Sequence, residues 1–93
     1  MVKRENKNYD LMIGEDKKAK TVDLIKICLN QVPQNGYTFD DLRNRERIDK
    51  AIENGIIELE DSDFKNLQGY VKTAKWTSRH PDLLDFINEF VTK

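Results

Sequence analysis

One cysteine and one histidine in 93 residues leave this chain nearly without nucleophilic or metal-binding side chains. Cys28 has no partner for an internal disulfide, so a disulfide-stapled fold is excluded. Zinc sites use three or four thiolate or imidazole ligands, more than Cys28 and His80 supply, and no protein-only zinc site can form. Glycine and proline are scarce at four and two residues, and Gly14, Gly36, Gly55 and Gly69 lie far apart. Neither the P-loop nor the dinucleotide glycine pattern is present, which argues against a nucleotide-dependent enzyme. No apolar run approaches the roughly 18 residues that a bilayer span requires. The opening MVKRENKNYDLMIG is basic without an apolar stretch behind it, unlike a secretory signal, so the expected compartment is the reducing cytoplasm, with no membrane association. Net charge is almost missing too. Sixteen Lys and Arg stand against seventeen Asp and Glu, a formal charge of -1, so no global field gathers nucleic acid or an anionic surface.

What is present is a chain with 38% hydrophobic and 35% charged residues. The usual charged share is about 25%, so the surface is heavily ionised while enough Leu, Ile, Val and Phe remain for a modest core. At 10.9 kDa it has the size of one domain. The reading divides it into a flexible N-terminal arm, residues 1–8, and one compact domain, residues 9–93. In size and in its lysine- and asparagine-rich composition it resembles the small accessory proteins of phages and mobile elements. That resemblance rests on no motif and implies a setting only.

Periodicity predicts a helix-dominated α+β fold with about four helices and at most a small two- or three-stranded sheet. Tyr9, Leu11 and Ile13 alternate with polar or flexible residues, as in a short strand over 9–13. From Thr21, read as a cap, Val22, Ile25, Leu29 and Val32 recur at helical spacing, and Pro33 ends a helix over 21–32. Thr38 with Asp41 forms a capping-box pattern, and Leu42, Ile48, Ala51 and Ile52 give the helix over 39–54 an apolar face. Residues 56–59 read as a strand that pairs with 37–38 or with 11–13. Helices over 61–76 and 80–91 follow, the first capped by Asp61 and the second carrying Pro81 in its first turn. The expected core is Ile25, Leu29, Leu42, Ile48, Ile52, Phe64, Leu67, Val71, Leu84, Ile87 and Phe90.

Catalysis by a nucleophile needs a base within hydrogen-bond reach. Cys28 lies on an apolar helix stripe, where a thiol is inert, and His80 beside Pro81 reads as a helix-start residue. The carboxylates Glu58, Glu60, Asp61 and Asp63 are explained by capping and by the helix dipole, without a metal. The expectation is therefore no enzymatic activity, no metal and no cofactor. Two features remain as candidate partner-binding residues. Arg43, Arg47 and Lys50 share one helix face, a row of cations that could meet a carboxylate-bearing partner, although local pairs such as Glu46 with Lys50 explain it as well. Trp76 and Arg79 combine aromatic area with a directional donor, as protein hot spots do.

The expected function is a non-enzymatic protein-binding module that regulates, inhibits or scaffolds a larger partner, or associates with itself. The alternative is a helix-turn-helix or winged-helix regulator presenting Arg43, Arg45 and Arg47 to nucleic acid. Against it stand the connection from Pro33 to Thr38, longer than the 3 to 4 residue turn of that motif, and an isoelectric point near 5.8.

Overall fold

The structure, a computed structural model, describes residues 1–91. In chain order its elements are β1 (Val2–Arg4), β2 (Asn8–Met12), β3 (Lys18–Lys20), α1 (Thr21–Leu29), α2 (Phe39–Ala51), β4 (Ile57–Leu59), α3 (Asp61–Thr73) and α4 (Pro81–Val91). Four helices and two two-stranded sheets among the described residues make the expected helix-dominated α+β architecture.

Local chemistry sets the helix ends. The capping box forms at α2, where Thr38 Oγ1 accepts from the Asp41 amide at 3.1 Å and Asp41 Oδ2 accepts from the Thr38 amide at 3.3 Å. At α1 the cap position belongs to Lys20, whose amide donates to Asp23 Oδ2 at 2.9 Å. Thr21 is the first helical residue instead, and its buried hydroxyl accepts from the Lys7 amide at 2.8 Å. That bond fastens the helix to the connection before β2. Helix α2 ends at Ala51, and the chain reverses through Gly55 at φ +83, a left-handed conformation that suits glycine. Helix α3 stops at Thr73 because Ala74 is extended.

The strand pairing departs from expectation. β4 pairs antiparallel with β1, Val2 opposite Leu59 and Arg4 opposite Ile57, rather than with residues 37–38 or 11–13. Residues 2–4, assigned to an arm by the sequence reading, are therefore a strand, and Tyr37–Thr38 is the lead-in to α2. Ile57 and Leu59 point inward while Glu58 points out, so only one face of this ribbon is apolar. β2 and β3 form the second ribbon, antiparallel with a register shift between Asn8 and Met12, and Ala19 is its fully buried contribution to the core.

One core joins Leu24, Ile25, Cys28 and Leu29 of α1, Ile48 and Ile52 from α2 and its end, Ile57 and Leu59 of β4, and Phe64, Leu67 and Val71 of α3. Leu83, Phe86 and Phe90 complete it from α4. Two expected core residues are outside. Leu84 is 65% exposed because the buried stripe of α4 runs through Leu83, Phe86 and Phe90, and Ile87 flanks it only partly buried. Leu42 is 52% exposed because it sits about 120° around the helix from Ile48, at about 100° per residue.

Candidate functional site

The expected cationic row on α2 is divided by its own neighbours. Arg47 is taken by Asp63, buried in the first turn of α3: Nε donates to Oδ1 at 2.9 Å and to Oδ2 at 3.1 Å, and Nη2 donates to Oδ1 at 2.7 Å. Nη2 also donates to Asn44 Oδ1 at 3.0 Å. The hydrogen bonds and charge of Asp63 push the guanidinium pKa of Arg47 above its ordinary value. Arg47 thus ties α2 to α3. Lys50 pairs with Glu46 at 3.5 Å, and Arg43 lies over the Phe39 ring, 5.5 Å from its centroid.

Arg45 is occupied as well. Its Nη1 donates to the carbonyls of Cys28, Leu29 and Gln31 at 3.1, 3.1 and 3.3 Å, which satisfies the end of α1. Phe39, Leu42, Arg43, Glu46 and Lys50 form one exposed strip on α2 within an arc of about 100°, and Asp40, Arg47 and Ala51 are exposed beside it.

Trp76, the other sequence candidate, sits in the segment between α3 and α4 with its ring edge-on to Phe86, centroids 6.1 Å apart. Its indole N–H is shielded from solvent and meets no acceptor among the described residues. One side of Trp76 lines a mostly apolar groove of about 290 Å³, walled by Leu11, Met12 and Ile13 of the β2–β3 hairpin, Leu24 and Ile27 of α1 and Leu83 of α4, with Thr77 and Ser78 at its polar edge. Met12 and Ile27 are 46% and 38% exposed there. Arg79 is exposed in the same segment and is not part of that lining. Sequence reasoning missed the hairpin residues and Ile27 as site residues, because each lies in a pattern that explains itself as strand or helix core.

A second groove, of about 460 Å³, is polar and lined in part by Lys7, Asp10, Asp82, Asp85 and Glu89. Much of its charge is already matched. Lys7 Nζ meets Glu89 Oε2 at 3.3 Å, and this hydrogen bond and charge push the lysine pKa up. Asp82 Oδ2 accepts from the amides of Asp10 and Leu11 at 2.7 and 3.2 Å.

Cys28 is buried at the end of α1, and burial pushes its thiol up to about 12. His80 is placed at the start of α4, its Nδ1 accepting from the Asp82 amide at 3.1 Å. These two residues occupy separate positions and separate roles. Among the described residues, no group of three or more His, Cys, Asp or Glu is placed to hold a metal ion. In the acidic stretch Glu58 pairs with Lys3 at 3.8 Å, while Asp63 serves Arg47. No helix among the described residues is long and apolar enough to cross a membrane. No protein-family model, curated protein or solved structure matches this chain.

Proposed function

We propose that the chain is a small non-enzymatic protein-binding module that regulates, inhibits or scaffolds a larger partner, which docks in the groove beside Trp76. The observation that supports this most directly is the meeting of Met12, Ile27 and Trp76 in one apolar concavity on the surface. Its volume of about 290 Å³ falls just below the roughly 300–1,000 Å³ of typical small-molecule sites. One or two apolar side chains of a partner would fill it. Tryptophan at such a position carries large contact area at low conformational cost and is enriched among binding hot spots.

The nucleic-acid alternative is weaker on physical grounds. Of the three arginines it would present, Arg47 is spent on Asp63 and Arg45 on the carbonyls of α1, leaving Arg43 alone. Phosphate-driven affinity grows with the number of cations that release counterions, and one is too few for tight binding. A single free thiol at Cys28 suits the cytoplasm. The size and composition of the chain suit an accessory protein of a phage or mobile element.

The experiment is site-specific photo-cross-linking from position 12 in the producing cell, followed by mass spectrometry of the product. Ile27→Asp, with circular dichroism confirming that the variant is folded, is the control, since a charge there spoils the groove. A protein product that disappears with Ile27→Asp supports the reading. Capture unaffected by Ile27→Asp, or steeply salt-dependent retention on DNA with no protein product, overturns it.

A further inference from the structure

The seventeen acids of this chain are unevenly placed, and none falls within residues 24–39 or 64–81. Those two stretches hold Lys26, Lys65, Lys72, Lys75 and Arg79, so the part of the molecule they build is locally cationic although the whole carries a formal charge of -1. They meet just beyond the ends of α1 and α3. Gln31 joins them there by a reciprocal pair, its Nε2 donating to the Lys75 carbonyl and its Oε1 accepting from the Lys75 amide, both at 2.8 Å. Both residues line a cavity of about 490 Å³, within the roughly 300–1,000 Å³ of small-molecule sites. Every residue lining it comes from the two acid-free stretches except Arg45.

Arg45 brings a charge that the fold offsets only in part. Its Nη1 is held by the carbonyls of Cys28, Leu29 and Gln31, at the end of a helix whose dipole amounts to roughly half an elementary charge. Nε is shielded from solvent without an acceptor. Among the described residues every hydrogen bond of Arg45 runs through Nη1, and no carboxylate pairs with it. Glu46 and Asp49 belong to a separate, smaller cavity of about 180 Å³ that Arg45 also lines. Tethered in this way, Arg45 cannot project into a nucleic-acid groove, but a small anion can come to it. Lys75 supplies a second cation, its backbone fixed by Gln31 and its side chain exposed without a carboxylate.

We propose that this cavity binds a small organic carboxylate, its charged end held by Arg45 and Lys75 and its apolar part laid against Val32, Pro33 and Ala74. With Nη1 committed and Nε shielded, one guanidinium nitrogen and one ammonium are open, which suits two oxygens sharing one charge. A phosphate dianion calls for more donors than these and has no apolar part for the remaining wall. The cavity shares no lining residue with the Trp76 groove, so neither proposal depends on the other.

Titration of the isotope-labelled chain with benzoate to about 20 mM at constant ionic strength, read from amide NMR shifts, tests it in a range suited to so small a ligand. Shifts should saturate at Val32, Gln34, Thr73 and Lys75. Benzamide keeps the ring and lacks the charge, inorganic phosphate keeps charge and lacks the ring, and each should bind at least tenfold more weakly. Lys75→Glu and Gln34→Glu alter exposed positions and spare Arg45, which the fold needs. With circular dichroism confirming that each is folded, both should weaken benzoate binding at least fivefold. Met12→Asp, in the Trp76 groove, should bind benzoate as the wild type does. No saturable shift at these four amides, equal affinity for benzamide or phosphate, or unchanged benzoate affinity in either charge variant would each overturn the inference.

Discussion

Arg45 stacks on Tyr70, its guanidinium carbon 4.1 Å from the ring centroid, and the same group stands 5.1 Å from the centroid of Tyr37. With its Nη1 on three carbonyls at the end of α1, this one side chain joins α1, α2, α3 and the connection before α2. It supplies a donor to carbonyls that the end of α1 at Leu29 leaves open.

Replacing Arg45 with Ala should therefore lower stability by about 2 kcal/mol, since carbonyls bonded to a charged donor lose roughly 1.5–3 kcal/mol with it. Arg45→Lys should recover less than half of the loss, because an ammonium has neither the planar fork nor the flat face that stacks on tyrosine. Urea midpoints of the two variants decide the matter. A lysine variant as stable as the wild type would remove the stacking from the account.

Helix α4 yields a ranked prediction. Phe86 is fully buried, with its ring 5.2 Å from Phe90 and 6.1 Å from Trp76, so Phe86→Ala should cost about 3–5 kcal/mol. Ile87→Ala should cost less, because that side chain only flanks the core. Leu84→Ala should change stability by no more than about 0.5 kcal/mol, as exposed substitutions do. Denaturant titration of the three variants should give that order, and an equal loss for Leu84 and Phe86 would contradict the observed stripe.

The ranking also locates what could be read in the sequence. Spacing alone found all four helices and the capping box at Thr38, since both are local signals. It did not find the rotation of α4, because Leu83, Leu84, Phe86, Ile87, Phe90 and Val91 cover so much of the helix that two adjacent stripes are equally apolar. The three-residue strand β1 has Val2 between Met1 and Lys3, too short for alternation to register, and its existence depends on β4 more than 50 residues away. What each member of the cationic row meets within the chain was not legible for the same reason. Arg43, Arg47 and Lys50 share helical spacing, but nothing local announces that Asp63 captures Arg47 across α3. Trp76 was visible as a residue, while its groove was not, because the walls come from three distant segments.

Cys28 gives a pH dependence whose sign is fixed. Burial raises the thiol from 9.0 to about 12 in the folded chain, so between those values the unfolded state holds fewer protons than the folded one. Stability should therefore be complete below about pH 9 and fall as pH rises through the window, by up to about 1.4 kcal/mol per pH unit. Tyr9 and Tyr70, raised from 10.0 chiefly by burial, add to the fall at higher pH. Cys28→Ala should be less stable than the wild type at pH 8, from the lost packing, and the gap should narrow above pH 9. Native Cys28 should also react with a thiol reagent far more slowly than the urea-unfolded chain. A constant gap across pH 8–11 would show that the thiol is not protected as described.

Asp82 links the start of α4 to β2, and its role is separable from its charge. One oxygen, Oδ2, accepts from the amides of both Asp10 and Leu11, while the Asp82 amide itself donates to His80 Nδ1. A carboxylate in the first turn of a helix is favoured by the dipole whether or not it meets a strand. Asp82→Ala should leave two strand amides without their acceptor and cost about 1–2 kcal/mol. Asp82→Asn keeps a side-chain oxygen and should restore much of that loss. Amide hydrogen exchange distinguishes the two contributions: Asp10 and Leu11 should exchange faster in the alanine variant, while α3, which does not touch Asp82 through these bonds, keeps its protection. If the asparagine variant loosens Asp10 and Leu11 as much as alanine does, the carboxylate charge rather than the shared oxygen holds the strand against α4.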